Sequence, residues 1–510
     1  VACGVQKIEP TTSNQPPIAL VVIQLRYPTV MNVPSGLLEE LSAALGKKLR
    51  TNRAETLLYR YDAIAQGPAP VAVVIAETTS DVARALEICN RYRFAVVPRG
   101  GSSGLSGGAV PVGPCVVVAT NRMTRLEVDA NKRIARAQPG VVTDAIRAAA
   151  KPFGLYYAPD PASSRQSTIG GNIAENAGGP QCLKKGVTSD SVLELEFVTA
   201  DGMVHRMDRS GLDIPGLLIG SEGTLAFVTD AVLKLEPIPQ VTRTAFAVFN
   251  QLGQAGRAVA LITARGLTPA KLELMDQNSI RAVEQFMQIG LPTDAEAILV
   301  SDCDGDDAST VAFEIESVAD AFREAGAREV RLAQDAAEAA QLWKARRSVS
   351  PALGNIRPHR FNEDIVVPRS RLEPAMREMQ ELAMRYPQFP FAIFGHAGDG
   401  NLHPNILFNR RSDDVSVADE FAHEIARVAI RHGGVLSGEH GIGLMKRGFM
   451  TEATPRATLE TYWRIKRVFD PNNIINPGKL LPELEPEPEP APALPPKRTG
   501  LGEREHDLTT

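Results

Sequence analysis

The chain has 510 residues, of which 44% are hydrophobic, 23% charged and 5% aromatic. At about 100–200 residues per domain this length gives two to four folded units, and ordinary apolar content with low net charge excludes a disordered chain. With 55 Lys and Arg against 60 Asp and Glu the formal charge is -5, and no basic run stands out, which argues against nucleic acid or an anionic lipid surface as the main partner.

Five cysteines, Cys3, Cys89, Cys115, Cys182 and Cys303, are too scattered for a disulfide scaffold. None has CxxC spacing, so neither a zinc ribbon nor an iron–sulfur cluster is expected on this chain. The early apolar run from Ile18 to Leu25 is broken by Gln24 and falls far short of the ~20 residues a spanning helix needs. A cytoplasmic protein is expected, or one held peripherally at the inner face of a membrane.

Residues 1–33 show no sustained periodicity and read as a leader of uncertain meaning. From Pro34 strand and helix signals alternate. Residues 71–76 form an apolar strand, and Ser80 then caps a helix with Val82, Ala85, Leu86 and Cys89 on one face. A strand at 94–98 runs into a glycine cluster at 100–108. Strands at 115–119 and near 125–138, a helix from Asp144, a hairpin of 192–199 and 203–207 about Asp201-Gly202, and an alternating strand at 225–235 complete a first unit, 34–239. A second, 240–433, mixes strands at 245–249, 298–302, 328–333, 363–367 and 391–394 with helices at 251–265, 277–288, 309–325 and 335–348. That pattern predicts an α+β unit around one sheet. A C-terminal segment, 434–481, carries a helix at 459–469, and the Pro/Glu-rich stretch 482–510 reads as a disordered tail.

Gly- and Ser-rich loops directly after strands let backbone N–H groups approach phosphate without Cβ interference. Three occur in the first unit: Gly100–Gly108, Ser167–Gly179 and Ile219–Leu225. Neither GxGxxG nor GxxxxGK[ST] is present, so the Rossmann fingerprint and the P-loop are excluded. Three such loops predict one long ligand lying across several strand ends.

Pro98-Arg99-Gly100-Gly101-Ser102-Ser103-Gly104-Leu105-Ser106-Gly107-Gly108 resembles the pyrophosphate loop of FAD-linked oxidases of the vanillyl-alcohol-oxidase/p-cresol-methylhydroxylase superfamily. Pro159-Asp160-Pro161, the 169–179 stretch and Gly220-Ser221-Glu222-Gly223-Thr224-Leu225 are similar, in order and spacing, to the branch of the glycolate oxidase FAD subunit and the D-lactate and D-2-hydroxyglutarate dehydrogenases. The resemblance spans about residues 37–481. It implies an α+β fold: a two-part FAD-binding domain of the p-cresol-methylhydroxylase type, a cap domain with a central antiparallel sheet, and a C-terminal helical segment returning to the FAD domain. It further implies FAD contacts from Pro98, Arg99, Gly100, Gly101, Ser102, Ser103, Gly104, Leu105, Ser106, Pro159, Asp160, Ser163, Thr168, Gly170, Gly171, Asn172, Asn176, Ala177, Gly178, Gly179, Glu222, Gly223, Val228 and Asn476. Ser102 stands where many relatives carry the histidine that tethers the flavin, so non-covalent FAD is expected, with a cysteine tether elsewhere left open.

Of eight histidines, His396 and His403 flank a Gly-Asp-Gly turn that can fold the chain back and make the imidazoles converge. Glu439 and His440 share another small-residue loop. Two imidazoles and a carboxylate suit Zn²⁺ or Mn²⁺ with positions left open. The remaining histidines read as structural. The resemblance assigns His396, His403 and Glu439 to the metal, His440 to proton abstraction and Arg346 to the substrate carboxylate. Ser350, one turn after Arg346 on the same helical face, and Asn405, two residues after His403, are further candidate substrate contacts. A lysine that the dehydrogenases carry near Asn362 is missing, although Arg360 is close.

The expected reaction is FAD- and metal-dependent oxidation of a D-2-hydroxy acid (glycolate, D-lactate or D-2-hydroxyglutarate) to the 2-oxo acid. Its rivals are a flavin oxidase of sugars or alcohols and a non-catalytic electron-transfer subunit. Electrons would leave to O₂, a quinone, a cytochrome, an electron-transfer flavoprotein or a separate iron–sulfur subunit. A homodimer is left open, and no nucleic acid is expected.

Overall fold

The computed structural model describes residues 33–485; the leader up to residue 32 and the tail from 486 lie outside them. Three Val-rich strands, Ala72–Ile75, Val116–Ala119 and Val96–Arg99, pair in parallel, with Leu49–Arg50 antiparallel at one edge. Their near-continuous apolar runs are what a sheet covered on both faces requires. The helix Thr79–Arg91 buries Val82, Ala85, Leu86 and Cys89, as the spacing predicts. Its cap is Thr78 and not Ser80: Thr78 Oγ1 accepts the Asp81 N–H while Asp81 reaches back to the Thr78 N–H, a capping box.

A second, antiparallel sheet has the order Leu126–Asp129, Ile134–Ala137, Phe227–Lys234, Val192–Val198, Val204–Asp208. The expected hairpin turns at Asp201-Gly202, where Gly202 takes φ 84°, a left-handed conformation that favours glycine.

The third sheet has eight strands, all antiparallel: Glu329–Leu332, Val241–Phe249, Ala297–Gly305, Lys271–Asp276, Phe391–His396, Asn401–Phe408 and His359–Asn362 in order, with Ile365–Val366 also beside Asn401–Phe408. Side chains alternate across a strand. Leu272, Leu274, Ile393, Leu402 and Ile406 therefore face one core, covered by the helices Leu252–Ala264, Ala308–Glu324, Leu372–Ala383 and Val415–Arg431. Met275, Phe394 and Leu407 face the other core, with Gln277–Met287 and Val349–Ile356. Glu273, His396, His403 and Asn405 share that second face by the same alternation. The strand Lys271–Asp276 and the helices at 372–383 and 415–431 were not expected from the sequence.

The C-terminal helix Arg456–Phe469 is followed by a return to the first sheet. Val96 N–H donates to Ile474 O and Asn476 N–H to Val96 O, each at 2.7 Å, so Ile475 bridges Val96 in parallel. Chain order continues past the expected tail boundary: Pro482 O accepts the Trp463 indole N–H at 2.9 Å and Leu484 packs against the small core that includes Phe449 and Leu459. Among the described residues no helix is long and apolar enough to cross a membrane.

Candidate active site

The glycine loops meet in one cleft. Of the sequence-predicted cofactor residues, Pro98, Arg99, Gly100, Gly101, Ser102, Ser103, Gly104, Leu105, Ser163, Thr168, Gly170, Gly171, Asn172, Ala177, Glu222, Gly223, Val228 and Asn476 line it. Glu439 and His440 line the same cleft.

Ser106, Pro159, Asp160, Asn176, Gly178 and Gly179 are not among its lining residues, and the structure gives them other work. Ser106 O accepts the Leu444 N–H at 2.8 Å, and Arg147 binds both the Asp160 carboxylate and Pro159 O. Asn176 closes the helix Ile169–Glu175 in a left-handed conformation and accepts the Ser189 N–H at 2.9 Å. A Cβ on Gly179 would lie 2.1 Å from Asp160 O, and one on Gly178 3.2 Å from Glu439 Oε2. Loop-to-loop packing therefore demands glycine here. The Glu222 carboxylate is engaged within the protein. Its two oxygens accept the Ile442 and Gly443 N–H groups at 2.6 Å each, which joins the 219–225 loop to the His440 loop.

The residues fit a flavin dinucleotide in two respects. The loops present backbone close to the cleft, and Ser102 Oγ and Thr168 Oγ1 are buried there without a hydrogen-bond partner, a state that natural proteins rarely tolerate unless a ligand completes it. Glu175, also lining the cleft, is buried near Glu222, and burial followed by that like charge holds its carboxyl well above the usual value.

The hairpin Phe391–His396 / Asn401–Phe408 pairs Phe394 with His403 and His396 with Asn401, so both imidazoles project from one sheet face at the turn, as expected. Ser437–His440 comes back over them. His396 Nε2 is 3.2 Å from Glu439 Oε1, and His403 Nε2 is 3.5 Å from the same oxygen. His440 stacks on His403 with ring centroids 5.1 Å apart, its Nε2 3.9 Å from Glu439 Oε1. His396, His403 and Glu439 offer ligand atoms all within 4.8 Å of one another.

Asp364, which sequence reasoning did not single out, organises this loop. It is fully buried; Oδ2 accepts Ser437 Oγ–H and the N–H groups of Gly438, Glu439 and His440 at 2.8–2.9 Å, while Oδ1 accepts Asn401 Nδ2 at 2.6 Å. Burial opposes its charge, but His440, Lys446 and His403 hold the carboxyl well below the usual range. Asp364, His403 and His440 also form a metal-sized group. A carboxylate offers about four lone-pair sites, and those of Asp364 are already used. His403 Nδ1 lies 3.5 Å and His440 Nδ1 3.9 Å from its carboxylate.

Burial likewise works against charging the histidines. His396, between Glu273 and Glu439, is nevertheless held well above the ordinary imidazole value. Burial with His440 and His396 alongside pushes His403 down to about 3. Glu439 is held down at about 2: burial alone would raise it, and His396 outweighs that. His403 as a neutral imidazole and Glu439 as an ionised carboxylate are in the forms a cation binds, whereas His396 must release a proton first.

Glu273 is the second residue missed. Its Oε1 lies 2.7 Å from His396 Nδ1 and its Oε2 2.6 Å from Arg346 Nη2. The alternation Lys271-Leu272-Glu273-Leu274 was its only local signal. Arg346 is 8% exposed, stacks over the Phe394 ring at 4.9 Å and keeps Nε without a partner. Ser350 departs from the single-helix expectation. The helix Ala336–Arg347 ends at Ser348 and Ser350 lies on the next, Val349–Ile356, where its Oγ accepts Arg360 Nη2 at 2.7 Å. Asn405 Nδ2 donates to His403 O at 2.7 Å, leaving Oδ1 buried without a partner.

A cleft lined by glycine loops, with a histidine and a carboxylate on its wall, suits a flavin-dependent redox protein, and the comparisons agree. Residues 70–208 match the family model "FAD binding domain" and 238–480 match "FAD linked oxidases, C-terminal domain". The chain is 41% identical over 422 residues to the glycolate oxidase subunit GlcD of Escherichia coli (strain K12), covering 81% of this chain and 84% of that protein. It is 34% identical over 438 residues to the D-lactate dehydrogenase of Archaeoglobus fulgidus, covering 84% and 96%. Among solved structures, p-cresol methylhydroxylase superposes with a TM-score of 0.72 at 16% identity, over 88% of this chain and 97% of that one, a likeness of fold. The chain belongs to the FAD-linked oxidase family, and its fold is of the p-cresol-methylhydroxylase type.

Proposed function

We propose that the protein oxidises a small D-2-hydroxy acid to the 2-oxo acid, with non-covalent FAD and a divalent cation, Zn²⁺ fitting the donors best. The observation that carries this is convergence: Glu439 and His440 line the same cleft as the glycine loops, with His396 and His403 against Glu439. The similarity to glycolate oxidase subunit GlcD and to D-lactate dehydrogenase supports the substrate class.

The labour divides by segment. Residues 34–239 hold FAD, which supplies a hydride acceptor. Residues 240–433 carry Arg346, His396 and His403, and 434–481 bring Glu439, His440 and Asn476 to the cleft. His396, His403 and Glu439 hold the cation, whose Lewis acidity would lower the pKa of a bound hydroxyl. Arg346 receives the substrate carboxylate: a guanidinium is a planar fork of donors, and Nε is unpartnered. Asn405 Oδ1 and the Ser350 hydroxyl are further substrate contacts.

His440 takes the hydroxyl proton at Nε2. Asp364 lies on its Nδ1 side, 3.9 Å away, favouring the tautomer with the proton on Nδ1 and stabilising the imidazolium that forms. A positioned base of this kind contributes about 10²–10⁴ in rate. Electrons then pass to a separate acceptor, an iron–sulfur subunit or another electron-transfer protein.

The test is anaerobic titration of purified, metal-analysed protein with glycolate, D-lactate and D-2-hydroxyglutarate, followed by loss of flavin absorbance near 450 nm. Bleaching by at least one, with none from simple sugars or alcohols, is expected. Bleaching by sugars or alcohols alone would overturn the assignment.

A further inference from the structure

We propose that Glu273 is a positioning residue that ties the metal ligand His396 to the carboxylate-binding Arg346, so that cation and substrate are held through one shared carboxylate. This rests on the roles inferred above for those two side chains and adds a coupling between them.

The three residues come from separate elements: Lys271–Asp276, the last turn of Ala336–Arg347, and Phe391–His396. Pairing of Leu274 with Gly395 and Met275 with Phe394 sets Glu273 and His396 near one another across the two strands, on the same face. The helix end then delivers Arg346 to the free oxygen. Glu273 is 1% exposed, so water does not compete for either oxygen.

Each contact constrains its partner's chemistry. Oε1 accepts the proton on His396 Nδ1, which leaves Nε2, now directed at Glu439 Oε1, as the nitrogen that gives up its proton when a cation binds. Carboxylates in this position orient metal-bound imidazoles and are worth about 10–100-fold in metal affinity. Oε2 forms an ion pair with Arg346 Nη2 at 2.6 Å, close but not aligned as a hydrogen bond, and the Phe394 ring covers the guanidinium from its face. A buried carboxylate spanning both groups cannot turn toward one without loosening its hold on the other. Arg346 forms its only ion pair among the described residues with Glu273, yet through it Arg346 stiffens a metal ligand it does not touch. By linkage, a substrate that tightens the cation through Arg346 is itself tightened by the cation by the same factor.

The experiment measures Zn²⁺ affinity by chelator competition on FAD-loaded protein, with KM and kcat for the best 2-hydroxy acid. Glu273→Gln should weaken Zn²⁺ binding about 10–100-fold and raise KM, while FAD content stays near wild type. Arg346→Met should also weaken Zn²⁺ binding, and adding it to Glu273→Gln should produce no further loss. Zn²⁺ affinities of both single variants within about twofold of wild type would overturn the coupling. His396→Ala separates the failures: if it loses Zn²⁺ while the others keep it, the coupling alone is wrong. If it too keeps Zn²⁺, the metal assignment beneath the coupling is wrong.

Discussion

At the scale of single residues, the chemistry turns on which polar atoms are already satisfied. Asp364 has spent its acceptor capacity on the Ser437–His440 turn and on Asn401, so it shapes the site. His440 Nδ1 and His403 Nδ1 are buried without hydrogen bonds, and both face Asp364. His440→Ala should therefore lower kcat by about 10²–10⁴ while FAD stays bound, read by steady-state kinetics and flavin absorbance on one sample. Flavin lost together with activity would show a structural role. Arg346→Ala should act mainly on KM, since its free donors serve binding; an unchanged KM would remove it from the pocket.

At the scale of elements, the local motifs were legible and the long-range ones were not. The glycine loops and the hairpin joining His396 to His403 are written in adjacent residues, where turn chemistry and alternation suffice. Glu273 lies 123 positions from His396, and Asp364 76 from His440; only sheet pairing and loop return bring them together, and neither leaves a periodic trace. Ser350 was placed on the Arg346 face by assuming one continuous helix, which Ser348 interrupts. Residue type alone favours Ser80 as the cap, and only the Thr78/Asp81 reciprocity moves it to Thr78. That capping box makes a pH prediction. Burial opposes the Asp81 charge, yet the Lys48 ammonium and the N–H groups of Glu77 and Thr78 hold its carboxyl below the usual value. Its stabilisation is full above about pH 4 and fades as pH falls through the lowered native value. Asp81→Asn should cost about 1 kcal/mol at pH 7, and the gap from wild type should narrow below about pH 4 in urea unfolding. A gap that widens on acidification would contradict this reading.

At the scale of the molecule, the C-terminal return closes the FAD-binding half. Lys466, 2% exposed, donates to Thr224 O at 2.6 Å and Ile475 O at 2.9 Å and pairs with the fully buried Asp470. It thereby joins the 219–225 loop to the strand-like segment beside Val96. Lys466→Met leaves the Asp470 carboxylate buried beside a methyl group, which should cost about 3–5 kcal/mol and weaken FAD retention. Denaturant unfolding and flavin release on gel filtration check both. A Lys466→Met protein as stable as wild type would mean that this join is not what holds the return in place.

The whole reading depends on a cation seated between His396, His403 and Glu439. Crystals grown with FAD and Zn²⁺ and measured at the zinc absorption edge test that directly. An anomalous peak within bonding distance of His396 Nε2, His403 Nε2 and Glu439 is the expected result. A peak on Asp364 and His440, or none at this cluster, would contradict it.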